Sequence, residues 1–234
     1  MIQHLKTSRT AMAWAALIAL SLAATPTAVA AQDYAPDVIE LSDTGPFAFE
    51  PAPQLDLSRG GAVEFWVATG WSEDPGFDPP VLVNIGEQGI SYMISVTRER
   101  DGLIFANDND EDVFLFDFSD GNLHHVAINV MDDGIEAYVD GSVVGTSDLR
   151  PNSLPSSGLF VGGLGVDGTG QFQGAIGQLR VWSEPLYEED ITAFRMRDVL
   201  DPQAGDHPDA ENLSAMSDFT QGELLLVDSV GDAQ

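Results

Sequence analysis

His124-His-Val-Ala-Ile-Asn-Val-Met-Asp-Asp-Gly-Ile-Glu-Ala-Tyr-Val-Asp-Gly141 reads as a β-hairpin. Val126, Ile128 and Val130 share one face of the first arm, and Ile135, Ala137 and Val139 repeat the alternation in the second. A period of two marks a half-buried strand, because successive side chains point to opposite faces. The Asp132-Asp133-Gly134 turn supplies the positive φ that a tight connection needs, and Asp140-Gly141 does the same ahead of Val143-Val144. Outward from this unit, short β-rich runs fall at 63–68, 81–84, 92–97, 102–106, 113–116, 143–146, 158–162 and 174–182, separated by Gly, Pro, Asn and Asp. No long helical periodicity interrupts them. The pattern predicts an all-β fold, a two-sheet antiparallel jelly-roll sandwich. Trp66, Trp182, Phe65, Phe105, Phe114, Phe116 and Phe160 are its expected core fillers.

A short helix is expected after the last core strand. Across 186–200, Leu186, Ile191, Phe194 and Val199 fall on one face, with acids early and arginines late, as the helix dipole favours. The acidic extension 198–234 follows. Its segment 208–216 is read as a short helix. Its segment 223–227, Glu-Leu-Leu-Leu-Val, is too apolar to be left in water and is expected to pair on the sandwich edge or dock on its surface.

The first 30 residues read as an address. Lys6 and Arg9 precede a short apolar run, and Ala28 and Ala30 stand where small residues precede a cleavage site. This is a secretory signal peptide, so a periplasmic or secreted location is expected. The apolar run is shorter than the ~20 residues that span a bilayer, and no second one follows, so the mature chain is expected to have no membrane span.

The 234 residues hold 38 acidic and 9 basic side chains, for a net charge of −29, and no cysteine. Removing Lys6 and Arg9 with the leader takes the charge to −31. Such a surface repels phosphate backbones, so nucleic acid is not an expected partner. Without cysteine there are no disulfides, thiolate metal sites or cysteine nucleophiles. The acidity has two readings: a surface that attracts cations, or solubility in a salty habitat where the Debye length is about 4 Å.

Several segments resemble the laminin G-like jelly roll of the concanavalin A-like superfamily. Val63-Glu-Phe-Trp-Val67 is similar to the family's early core strand. Gly121-Asn-Leu-His-His-Val-Ala-Ile128 is similar to its two-histidine strand, with Leu123 where a tryptophan is usual. Ile135-Glu-Ala-Tyr-Val-Asp-Gly141 matches its Tyr-Val-Asp-Gly hairpin. Gly174-Ala-Ile-Gly-Gln-Leu-Arg-Val-Trp182 and Tyr187-Glu-Glu-Asp-Ile191 resemble its final core strand and following helix. Order and spacing agree over roughly 37–197. With the leader read above, the chain divides into a signal peptide at 1–30, a laminin G-like jelly-roll domain at 33–197 and an acidic C-terminal extension at 198–234. The resemblance implies little about activity, because the fold serves lectins, adhesion modules, hydrolases and spacers.

Jelly-roll glucanases carry Glu-x-Asp-x-Glu on one strand, which points two carboxylates into one cleft. Glu99-x-Asp101 and Glu188-x-Asp190 begin that pattern and neither completes it, so no catalytic residues are assigned and no enzyme is expected. His124 and His125 are adjacent on a strand and face opposite ways, so they cannot easily share a metal. One ring is expected buried and hydrogen-bonded, the other at the surface. Asn107-Asp-Asn-Asp-Glu-Asp112 packs six oxygen-bearing side chains between two strands. Asp108, Asn109, Asp110 and Asp112 are the candidate ligands for Ca²⁺, and a solvated acidic loop is the competing reading. Trp71 and Phe77, on the acidic loop 71–80, are the candidate ligand-binding aromatics, the alternative being that they cap the core edge.

The sequence therefore points to an exported, non-catalytic binding module that recognises a glycan or a protein through sandwich-rim loops, with Ca²⁺ as a candidate cofactor. A structural or assembly subunit using a sheet edge or the C-terminal strand is the second reading. A glycoside hydrolase with an unrecognised site is the third.

Overall fold

The computed structural model describes residues 36–154, 157–165, 168, 170–196, 207–217, 219 and 223–227. Residues 1–33 separate from 34–234 as a unit of their own. The predicted signal peptide lies outside the described residues. In chain order the elements are β1 (Val38–Glu40), α1 (Leu41–Thr44), β2 (Phe47–Phe49), β3 (Gly61–Thr69), β4 (Pro80–Gly86), β5 (Gly89–Val96), β6 (Gly102–Ala106), β7 (Glu111–Leu115), β8 (His124–Met131), β9 (Gly134–Val139), β10 (Ser142–Ser147), β11 (Gly158–Val161), β12 (Gly174–Trp182), α2 (Glu188–Phe194), β13 (Leu213–Ser217) and β14 (Leu225–Leu226).

Two antiparallel sheets form the predicted sandwich. One runs β10-β9-β8-β3-β12-β13-β14, with β1 also on β12; the other runs β2-β11-β4-β5-β6-β7. The β8–β9 hairpin has the expected register, Val130 opposite Ile135 and Val126 opposite Val139. β12 has two partners on its outer side. β1 pairs with Ala175–Gly177, and β13 takes over from Leu179. Between them Gln178 adopts a φ of 43° and shifts the register against β3. This bulge passes the edge of β12 from one neighbour to the other.

The alternation read from sequence decides the core. Val63, Phe65 and Val67 of β3, Val126, Ile128 and Val130 of β8, and Ile135, Ala137 and Val139 of β9 meet Leu82, Tyr92, Ile94, Leu103, Phe105 and Phe114 of the other sheet. Phe116 packs against this core from its edge. Three expected fillers lie elsewhere. Phe65 points inward, so Trp66 points out. Trp182 is fully buried on the outer face, in a second cluster with Ala62, Ala127, Tyr138, Leu186, Ile191 and Leu213. Phe160 is only half-buried. The sandwich thus has a second apolar layer, because α2 and the segment before β13 cover the outside of the larger sheet.

α2 is shorter than the periodicity suggests, with Glu188, Glu189 and Asp190 in its first turn. Val199 lies outside the described residues. The segment read as a helix at 208–216 makes one 3₁₀ turn, Ala210–Asn212, and then becomes β13. The apolar run at 223–227 pairs with the chain's own sheet: Leu226 opposes Ala215, and the Val227 N–H donates to the Ser214 carbonyl at 2.8 Å. That docking weakens the reading in which the strand is donated to a partner.

Phe105→Ala should lower unfolding free energy by about 3–5 kcal/mol, the cost of an aromatic-sized cavity. Leu225→Ala, at a site 56% exposed, should change it by less than about 0.5 kcal/mol. Urea unfolding of the two variants checks both.

Candidate ligand-binding rim

The acidic loop between β6 and β7 is shaped by its first residue. The Asn107 side-chain oxygen accepts the N–H groups of Asn109 at 2.8 Å and Asp110 at 3.1 Å, while its amide donates to the Arg150 carbonyl at 3.0 Å. The other side chains then go separate ways. Asp108 accepts the Ile90 N–H at 2.8 Å, across the β4–β5 turn. Asp112 accepts the Ser147 hydroxyl of β10. Asn109 and Asp110 face solvent. Among the described residues no three His, Asp or Glu side chains gather closely enough to hold a metal. As arranged, Asp108, Asn109, Asp110 and Asp112 do not converge into a Ca²⁺ cage, since that ion takes six to eight oxygens around one point.

Asp112 belongs instead to a different feature. β7 and β10 are the terminal strands of the two sheets on the same side of the sandwich. Their approach leaves an open pocket of about 470 Å³ lined by Asp112, Met131, Asp133, Gly134, Ile135, Thr146, Ser147 and Asp148. Glycine makes it possible twice. Gly134 sits at φ 149°, and a Cβ there would collide with the Ser147 carbonyl; at Gly145 a Cβ would meet the Phe114 ring. Three carboxylates and two hydroxyls line the pocket, and no basic group does. Such a lining repels anions and offers acceptors to a ligand rich in hydroxyl groups.

The two aromatic candidates part company. Trp71 is 4% exposed, its ring edge-on to Phe172 at 5.5 Å and its indole N–H donating to the Arg98 carbonyl at 2.9 Å. It caps the core, and neither face is free for stacking. Phe77 is 40% exposed and stands apart from the rim pocket's lining.

The histidine pair faces opposite ways, as expected, yet both rings are largely enclosed. His124 lies at the rim against the Phe116 and Phe118 rings. Its Nδ1 is 2.8 Å from Asp140 Oδ2 and its Nε2 3.0 Å from Asp120 Oδ1. Two acceptors on one ring require two N–H donors, which is the imidazolium. The Asp140 hydrogen bond raises the His124 pKa against the opposing effect of burial. The Asn122 N–H and then His124 hold Asp120 at about 2. Burial would raise Asp140, but His124 and the His125 N–H hold it down. The clasp ties the β7–β8 loop to the β9–β10 turn.

His125 turns into the outer layer, where its Nε2 lies 3.0 Å from Glu64 Oε2. Arg180 Nη1 donates to Glu64 Oε1 at 2.9 Å, and the Trp182 indole donates to the same oxygen at 3.2 Å. Burial alone would raise the Glu64 pKa, but Arg180 and His125 hold it at about 2. This network is not among the sites expected from the sequence. Its signal was present: Glu64 and Arg180 are the single ionisable residues of the apolar strands β3 and β12, and His125 is the outward-facing member of the histidine pair that opens β8. With Glu64 enclosed and ion-paired, it presents no carboxylate to a substrate.

Residues 41–192 match the laminin G profile described as the Concanavalin A-like lectin/glucanases superfamily. The chain belongs to that superfamily. No curated protein matches the sequence. Among solved structures, this superfamily member is similar to a protein of Bacteroides ovatus ATCC 8483 proposed to bind carbohydrate, with 15% identity, a TM-score of 0.57, and 76% of this chain and 50% of that one covered. It therefore spans half the length of that protein. It is also similar to the CBM40 module of a Ruminococcus gnavus sialidase, with 14% identity, a TM-score of 0.50, and 67% and 95% covered. At these identities the likeness is one of fold.

The His124 clasp should be visible in stability against pH. The raised imidazole contributes fully below its ordinary 6.5, and the contribution is lost as pH rises through the raised value. The lowered carboxylates contribute above their ordinary 3.8, and that contribution is lost as pH falls toward 2. The stability gap between the native chain and His124→Gln should therefore be widest between these values and shrink on both sides. Glu64→Ala, which removes the shared acceptor of three buried donors, His125, Arg180 and Trp182, should cost about 3–5 kcal/mol in urea unfolding.

Proposed function

We propose that the chain is the non-catalytic binding module of an exported protein, and that it holds a neutral glycan in the rim pocket between β7 and β10. The observation that carries this reading is the lining itself. Asp112, Asp133, Asp148, Thr146 and Ser147 offer clustered hydrogen-bonding groups at an open sandwich edge, with no base to attract an anion. Carboxylate acceptors make the stronger, charge-assisted hydrogen bonds to sugar hydroxyls. The fold supports the reading: the Bacteroides ovatus protein is described as binding carbohydrate, and the Ruminococcus gnavus relative is the CBM40 of a sialidase. Export rests on the sequence of residues 1–30.

Calcium is a variable of the test, because the acidic-loop side chains diverge. A neutral-glycan array probed with and without Ca²⁺, with Mg²⁺ as control, should give saturable binding. Asp133→Asn with Asp148→Asn should weaken it about tenfold or more, as the loss of charge-assisted bonds implies. Binding that survives the double substitution would place the ligand elsewhere. Ca²⁺ dependence abolished by Asp108→Ala and Asp110→Ala would restore the loop as a metal site.

A further inference from the structure

The side of the sandwich opposite the rim pocket is built differently. There the terminal strands are β14 of the larger sheet and β2 of the smaller one. A groove of about 320 Å³ runs between them, lined by Ala48, Phe49 and Glu50 on one wall and Glu223, Leu224 and Leu226 on the other. The Phe49 ring of its wall packs against Phe219 at 6.3 Å, and Phe47 meets the same ring at 6.0 Å. Leu226 is 42% exposed and its neighbour Leu225 more so. Among the described residues neither strand has a partner on its outer side. The run Leu224-Leu-Leu-Val227 carries none of the lysines or prolines that shield exposed edges.

We infer that this groove docks an extended segment of a partner protein, apolar in its middle and flanked by basic residues. The chemistry selects that occupant. Apolar walls offer little to a glycan, whose hydroxyls need partners along their whole length. Unpaired strand edges suit an extended backbone, which supplies main-chain hydrogen bonds while alternate side chains enter the groove. Glu50 and Glu223 bring carboxylates to an apolar channel that holds no base, so lysine or arginine on the incoming segment gains attraction. A second copy of this chain would bring the same glutamates and a net charge of −29. The inference goes beyond the glycan reading: one edge binds the ligand, and the opposite edge attaches the module to a protein.

The test titrates the folded chain with three labelled heptapeptides by fluorescence anisotropy. They are Lys-Val-Thr-Val-Thr-Val-Lys, the same core flanked by glutamates, and Lys-Ser-Gly-Ser-Gly-Ser-Lys. The first should bind saturably at one site, about tenfold or more tighter than either control. Leu226→Ser should weaken it by about tenfold, the loss expected of a buried apolar contact. Glu50→Lys with Glu223→Lys should reverse the preference between the lysine-flanked and glutamate-flanked peptides. No saturable binding of the first peptide overturns the proposal. So does equal binding of the serine-glycine peptide, which reports only attraction to a polyanion, or binding indifferent to Leu226→Ser. All variants lie at exposed or edge positions, and their thermal melts check that they fold.

Discussion

β8, β3 and β12 lie side by side in the middle of the larger sheet, and one carboxylate is bonded to side chains from both of its neighbouring strands. Glu64 on β3 meets His125 from β8 and Arg180 from β12, all three buried. A buried ion pair is weak support for stability, since desolvation cancels much of the attraction. Its stronger effect is on register. A one-residue slip of β3 would turn Glu64 into the inter-sheet core, away from His125, Arg180 and Trp182, and bury a carboxylate without its donors. The network therefore makes the correct pairing of three strands the only one in which its charges are satisfied. The inward alternation of Val63, Phe65 and Val67 follows from that register, and the sandwich core follows from the alternation.

The larger sheet is covered on both faces, and the network is enclosed beneath its outer layer. α2 supplies Ile191, the loop before it supplies Leu186, and the extension supplies His207, whose ring lies tilted against Trp182 at 4.7 Å. Residues 207–217 and 223–227 are thus not a loose appendage to a finished domain. They complete its second layer and, through β13 and β14, its larger sheet.

The fold was legible in the sequence where side chains alternate under local rules. The β8–β9 hairpin, β6 and β12 match the boundaries that alternation and turn residues suggest. What was not legible depends on which face is roofed. Trp66 and Trp182 look like core tryptophans by composition, but their parity against Phe65 and Val181 puts them outside; the outer layer of Leu186, Ile191 and Leu213 buries Trp182, and Trp66 packs edge-on to the His125 ring at 5.2 Å. β13 was hidden because Leu213-Ser-Ala-Met-Ser217 has no β-branched residue, so its pairing with β12 rests on tertiary context. The candidate site was legible only in part. Asp112 was singled out for the wrong company: its neighbours at the pocket, Asp133 and Asp148, lie 21 and 36 residues further along the chain, a distance that no local motif spans. Trp71 shows the reverse case, an aromatic on an acidic loop whose indole N–H found a carbonyl inside the protein.

The bulge at Gln178 has a consequence in time. Because it hands the edge of β12 from β1 to β13, the earliest and some of the latest described strands share one seam. A chain emerging from its N-terminal end can place β1 only after β12 has appeared, and can close the remainder of that seam only after residue 217 has followed. Pairings this distant in sequence are slow to form. Until then the most apolar strands of the larger sheet keep an open side. A nascent chain of this design leaves its larger sheet unfinished until residue 217 has been made.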